Sequence, residues 1–119
     1  MLFRSIDEAH FPDANFRAYV KTLDPNGDDV LTQAEIDGIT EIDCTWKRIG
    51  SLVGIEYFTA LTELDCRGCQ LTALDVSKNT ALTVLSCRDN QLTALDVSKN
   101  TALTTLLCYH NQLDRRAHV

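Results

Sequence analysis

Internal repetition constrains this chain more than any other feature. Leu71 to Gln91 reads LTALDVSKNTALTVLSCRDNQ, and Leu92 to Gln112 reads LTALDVSKNTALTTLLCYHNQ, a period of 21 residues. A half-unit of the same form, LTELDCRGCQ, runs from Leu61 to Gln70. ITEIDCTWKR, from Ile39 to Arg48, aligns with it at a period one residue longer. Each unit is itself split: LTVLSCRDNQ alternates with LTALDVSKNTA, and both open L-x-x-L-x-[C/V]. Apolar residues do not return at i+3, i+4 and i+7, so the spacing is not helical. The centre of the first half alternates like a short strand, with Leu85 inward, Ser86 outward and Cys87 inward. One coil cannot bury its own leucines. Stacked coils bury them in a column, with parallel strands pairing from coil to coil.

The pattern L-x-x-L-x-[L/C]-x-x-N-x-L stands here as Leu82, Leu85, Cys87, Asn90 and Leu92, and again as Leu103, Leu106, Cys108, Asn111 and Leu113. It resembles the leucine-rich-repeat family. The nested ten-plus-eleven form is similar to a bacterial subclass in which both halves of the coil carry the motif. The resemblance covers residues 39–113 and implies an α/β-type repeat solenoid, mostly β, right-handed, with parallel strands. Asn90 and Asn111 fall where the chain leaves the strand and turns. A buried amide there can bond loop backbone groups of its own and the next coil. Asn79 and Asn100 are the equivalents on the other half, and Cys69 holds that place in the first full coil.

The chain has five cysteines. Cys66-Arg67-Gly68-Cys69 has the form of a metal or redox motif, but the repeat register accounts for it. Cys44, Cys66, Cys87 and Cys108 share the last inward strand position and should stack as small apolar side chains. No second C-x-x-C and no nearby histidine completes a zinc set. Thiols stacked in register on neighbouring strands are poorly placed for a disulfide dihedral.

Residues 6–38 carry no repeat. Phe11-Pro12-Asp13 opens a helix expected to run to about Leu23, with Phe16, Tyr19, Val20 and Leu23 at helical spacing. A second short helix is expected from near Thr32 to about Gly38. Between them, Asp24 to Glu35 resembles an EF-hand calcium loop. Asp24, Asn26, Asp28 and Glu35 stand at loop positions 1, 3, 5 and 12, Val30 at the carbonyl-donating position 7, and Thr32 at position 9. Hard oxygen donors at this spacing suit Ca2+. Asp29 replaces the usual glycine at position 6, which requires a left-handed turn, so weak affinity is expected. Thr32-x-x-Glu35 is also a capping box that starts a helix without metal. An EF-hand-like helical cap joined to leucine-rich repeats is similar to the cap of internalin-type bacterial surface proteins. Whether or not calcium binds, Phe11, Phe16, Val20, Leu31 and Ile36 can cover the open end of the repeat stack.

The chain therefore divides into a cap at 6–38 and about three coils at 39–113. Residues 1–5 and 114–119 read like translated adapter sequence and are expected to lie outside the fold. The net charge of −6 argues against a nucleic-acid partner. No apolar run approaches the roughly 20 residues that span a bilayer. The histidines, His10, His110 and His118, fall at the cap, the last strand and one end, and no nucleophile-base-acid set emerges. Asp75 and Asp96 repeat in register and read as structural, so catalysis is not expected.

The outward strand residues vary from coil to coil, whereas LDVSKN repeats unchanged. A recognition face is expected on the varied side, with Trp46, Arg67, Arg88, Tyr109 and His110 as its contacts, since Trp, Tyr and Arg are enriched at binding hot spots. The internalin resemblance implies a module that binds a protein or glycan outside the cell. The alternative is a structural spacer presenting another domain, enzymatic domains included.

Overall fold

The computed structural model describes residues 3–113. The expectations for residues 114–119, and for His118, lie outside the described residues.

The cap is assembled from short elements with explicit stops. Helix α1 spans Ala14–Lys21, shorter at both ends than the apolar spacing suggested. Asp13 is its N-cap and accepts from the N–H groups of Asn15 and Phe16, so the helix cannot begin before it. Phe16 and Val20, four residues apart, bury one face. Strand β2 spans Val30–Thr32 and runs directly into helix α2, Gln33–Asp37. Thr32 and Glu35 close the reciprocal capping box that the sequence contains. Phe3–Ser5 belong to the segment expected to lie outside the fold. They form strand β1, antiparallel to β2, with Arg4 opposite Leu31. Ile6 extends this pairing by donating its N–H to the Asp29 carbonyl at 2.9 Å, and its side chain joins the core.

The repeats form one parallel sheet. Its strands are β3 Glu41–Asp43, β4 Glu63–Asp65, β5 Val84–Ser86 and β6 Thr105–Leu107, hydrogen-bonded in chain order. Ile42, Leu64, Leu85 and Leu106 stand in register. Each coil thus returns one strand further along the stack, as the repeat length requires. Ile42, Leu64, Leu85, Cys44, Cys66 and Cys87 are almost completely buried, while Leu106 on the outermost described strand and Cys108 just after it are half-buried. Each leucine fully withdrawn from water contributes on the order of 1.5–3 kcal/mol, so the column dominates the stability of the stack.

Cap and coils share a continuous core that includes Phe11, Phe16, Leu31, Ile49, Phe58 and Leu61. Polar ties fix how the cap sits. Asp13 caps α1 with one carboxylate oxygen and accepts the Gly50 N–H at 3.0 Å with the other. The Asn15 amide donates to the Arg48 carbonyl at 2.9 Å, and the Asp43 N–H donates to the Tyr19 hydroxyl at 3.1 Å. Gly54 adopts φ 110°, and a side chain there would run into the Phe11 ring.

Candidate functional site

The varied face is built by the strands and the turns that follow them. Alternation turns the residues between the buried columns outward. Beyond the strands, Cys44, Cys66 and Cys87 still donate their N–H groups to the next coil, at 2.9, 2.9 and 2.8 Å, so register is kept into the turn. That register sorts the outward side chains into two columns.

Arg67, Arg88 and Tyr109 occupy one column. Arg67 leans on Asp65, with Nε 3.4 Å from its carboxylate. Arg88 forms an ion pair with Asp89, and its guanidinium lies 5.5 Å from the centre of the Tyr109 ring. Below them, Ser86, expected to point outward, is only 6% exposed, and its hydroxyl has no hydrogen-bond partner. Its short side chain stands in register between Asp65 and Leu107, which rise above it.

The second column is Trp46, Gly68, Asp89 and His110. Every member has a left-handed backbone, with φ of 58°, 66°, 58° and 57°. Here each coil leaves its strand sharply. Trp46 is 63% exposed and lays one face of its indole over Gly68, where any side chain would collide with the ring. His110 Nδ1 lies 2.7 Å from Asp89 Oδ1, and this contact holds the Asp89 carboxyl below the usual carboxylate range. A shallow depression of about 430 Å³ opens between Trp46, Gly68, Gln70, Asp89 and Gln91.

Of the residues expected on this face, Arg88, Tyr109 and His110 are brought together, with Arg67 beside Arg88 in the column. Trp46 stands one column over. Sequence reasoning missed the roles of Gly68 and Asp89. The signal was available: Gly68, Asp89 and His110 recur at the 21-residue period. The four letters differ, so the shared left-handed turn is hidden in the text.

The cap loop is ordered by its own side chains. Asp24 accepts the N–H groups of Asn26 at 3.2 Å and Asp29 at 2.8 Å, and Asp28 accepts that of Val30 at 3.2 Å. Asp29 takes up the required left-handed turn, φ 60°. The Ile6–Asp29 bond makes those two residues a hydrogen-bonded pair of the β1–β2 ladder. By alternation, the Val30 carbonyl faces the loop rather than β1. Glu35 Oε1 accepts the Thr32 N–H at 2.8 Å, while Oε2 receives the Asn26 amide nitrogen at 3.3 Å. The donor types and the backbone thus suit a hard cation. Among the described residues, however, no three His, Cys, Asp or Glu side chains are grouped to hold a metal ion.

The asparagine and cysteine columns are scaffold. Asn90 Oδ1 accepts from the N–H groups of Cys69 and Leu71 at 3.0 and 2.9 Å, and its Nδ2 donates to the carbonyls of Cys66 and Cys87, both at 2.9 Å. Cys69 takes the corresponding place one coil earlier, with its sulfur 2.9 Å from the Cys44 carbonyl oxygen.

Comparison with known proteins places this geometry. No family model matches the sequence. Internalin J of Listeria monocytogenes is 40% identical over 70 residues, a stretch that is 58% of this chain and 8% of that protein. The solved functional domain of the Listeria protein InlJ, described as including a cysteine ladder, superposes with a TM-score of 0.87 at 37% identity. The match covers 96% of this chain and 25% of that one. The solved internalin InlF of the same species gives a TM-score of 0.85 at 28% identity, covering 97% of this chain and 35% of that one. The chain therefore spans a small part of each relative. The similarity extends through cap and coils together.

Proposed function

We propose that this internalin-like leucine-rich-repeat chain is a protein-binding module that works outside the cell and engages its partner through the strand face. One observation carries the reading: the outward strand residues change from coil to coil, while the LDVSKN side repeats without change. Solvation alone asks for no such variation. Contact with a particular surface does, and the exposed residues include types that anchor interfaces: Trp46, 63% exposed, and Tyr109, 50%. Arg88, braced by Asp89 and Tyr109, needs little further ordering on binding. Similarity to internalins supports a surface or secreted setting. No helix among the described residues is long and apolar enough to cross a membrane.

The test is binding of the labelled chain to intact cells. Trp46→Ala and Arg88→Ala should each weaken it by about tenfold or more, whereas Lys78→Ala and Lys99→Ala on the LDVSKN side should leave it unchanged. Protease treatment of the cells should abolish binding. Loss after glycosidase treatment instead would make the partner a glycan. Equal effects on both sides of the coil would remove the strand face from consideration.

The cap loop is proposed as a weak Ca2+ site. Side-chain oxygens of Asp24, Asn26, Asp28 and Glu35 and the Val30 carbonyl would hold the ion, with Thr32 acting through water. The left-handed turn at Asp29 and the loop-facing Val30 carbonyl support it. Asn26 must first turn its amide so that oxygen replaces the nitrogen now facing Glu35. Millimolar calcium should raise the melting midpoint, and Asp24→Ala or Glu35→Ala should abolish that rise. A silent titration by calorimetry would reduce the loop to a capped turn.

A further inference from the structure

The strand face changes character halfway along the stack. Two outward rows cross it. One runs Glu41, Glu63, Val84 and Thr105, the other Asp43, Asp65, Ser86 and Leu107, each in register from strand to strand. The first two strands therefore present four carboxylates in these rows, and the next two present none. Neighbouring strands lie about 4.8 Å apart, so like charges stand side by side twice. Such pairs destabilise a sheet.

The aspartates have local work. Asp43 accepts the Thr45 N–H at 3.1 Å and the Thr45 hydroxyl at 2.5 Å. Asp65 accepts the Arg67 N–H at 3.3 Å, and Arg67 Nε lies 3.4 Å from its carboxylate. Both hold the turn that follows the strand. The glutamates have no such task. Glu41 and Glu63 are exposed, and among the described residues neither side chain has a hydrogen bond or an ion pair. Arg67 and Arg88 are each paired with a carboxylate already. The uncompensated charge of the face is that of the two glutamates.

A second cost lies where the acidic half meets the rest. Ser86 is 6% exposed, its hydroxyl has no partner, and it stands in the outward row between Asp65 and Leu107. A buried hydroxyl that makes no bond is unfavourable. Its oxygen can accept, and the neighbouring Asp65 is an anion, so the place suits a cationic donor. Beyond it the face turns apolar, with Leu107 40% and Tyr109 50% exposed.

Taking the strand face as the contact surface, the reading on which this rests, we infer that the protein partner presents a basic strip beside an apolar patch. Lysine or arginine side chains lie over Glu41 and Glu63, one cationic group reaches Ser86 beside Asp65, and apolar atoms cover Leu107 and Tyr109. The repulsion carried by the free chain becomes attraction in the complex.

The whole chain and its variants are compared for binding to intact cells and for thermal stability. Glu41→Gln combined with Glu63→Gln should weaken binding by about tenfold. The same pair should raise the melting midpoint by about 1–3 °C, because the repulsion is gone. Ser86→Ala should move both readouts in the same directions. Glu41→Lys combined with Glu63→Lys should abolish binding. Asp75→Asn combined with Asp96→Asn, the same change in net charge on the LDVSKN side, should leave it unchanged. Raising sodium chloride from about 30 to 150 mM, with sucrose holding the osmolarity, should weaken binding of the unsubstituted chain more than that of the glutamine pair. A lower melting midpoint in the glutamine pair would make the glutamates structural and overturn the inference. So would unchanged binding in that pair while Trp46→Ala and Arg88→Ala weaken it, which would leave the strand face in contact with a partner of other chemistry. If Trp46→Ala and Arg88→Ala are silent as well, the strand-face reading fails and the inference falls with it. Binding of the unsubstituted chain that ignores salt would overturn the inference even if a variant fails to fold.

Discussion

Asn90 on the strand side and Asn79 on the LDVSKN side are both buried, yet they are not equally anchored. Asn90 uses both ends of its amide, accepting from Cys69 and Leu71 and donating to Cys66 and Cys87. Asn79 donates to the carbonyls of Ile55 and Phe58 at 2.9 and 3.0 Å, but its oxygen has no partner, and the same holds for Asn100. The strand side also has its backbone ladder, whereas among the described residues the LDVSKN side has no strand as long as β3–β6. Unvarying text therefore does not mean the firmer half. The side whose surface varies is the one held by more bonds, as a recognition face on a rigid support requires.

Substitution can break this comparison directly. Asn90→Ala should cost the most, about 3 kcal/mol or more, because it strands two buried N–H donors and two carbonyls. Asn79→Ala should cost about 1–2 kcal/mol, since only the donor end is lost. Urea unfolding midpoints of the two variants decide it, and equal losses would mean that the two ladders are equivalent. Asp13→Ala comes next, at about 1–2 kcal/mol, for it removes both the N-cap of α1 and the tie to Gly50. Cys69→Asn should work in the opposite sense. Under reducing conditions it should gain about 1 kcal/mol by completing the strand-side ladder in the first full coil.

The smallest effects concern pH. Asp75 on the LDVSKN side has its carboxyl lowered by the Ser77 hydroxyl and N–H. Asp89 on the strand side is lowered by His110. A carboxylate with a depressed folded pKa adds stability above its unfolded value, near 3.9, and loses it as pH falls through the folded value. Both contributions should thus be full at pH 5–7 and fade only in strong acid. Asp75→Asn should shift stability at pH 7 by no more than about 0.5 kcal/mol, because the group is largely exposed. Asp89→Asn should instead show its effect in binding, by freeing Arg88 and His110. A large stability loss for Asp75→Asn, followed by denaturation from pH 7 down to pH 2, would reverse the ranking of the two sides.

Much of this was legible in the residues. The 21-residue period, the inward Leu and Cys columns, the asparagine positions and the capping box follow from local alternation and short-range bonding, which a single sequence displays. The segment Phe3–Ser5 was not legible as a strand. Its partner Val30–Thr32 lies far along the chain, and three residues carry no periodic signal. The column of Trp46, Gly68, Asp89 and His110 was equally hidden, because a left-handed turn is imposed by the path of the coil on whatever residue stands there. Weak periodicity also stretched α1 to Leu23, where the helix itself ends at Lys21.

The sequence alone determined that this chain stacks, how long each coil is and which side chains face inward, since a repeat that cannot bury its own leucines has only its neighbours to use. The tertiary structure decided which outward residues meet, Trp46 with Gly68 and Asp89 with His110, and that the buried Cys69 sulfur reaches the Cys44 carbonyl. Those contacts join residues 21 to 25 positions apart. They depend on the offset with which one coil is laid on the next, a quantity fixed by the packing of the whole stack and by no single repeat.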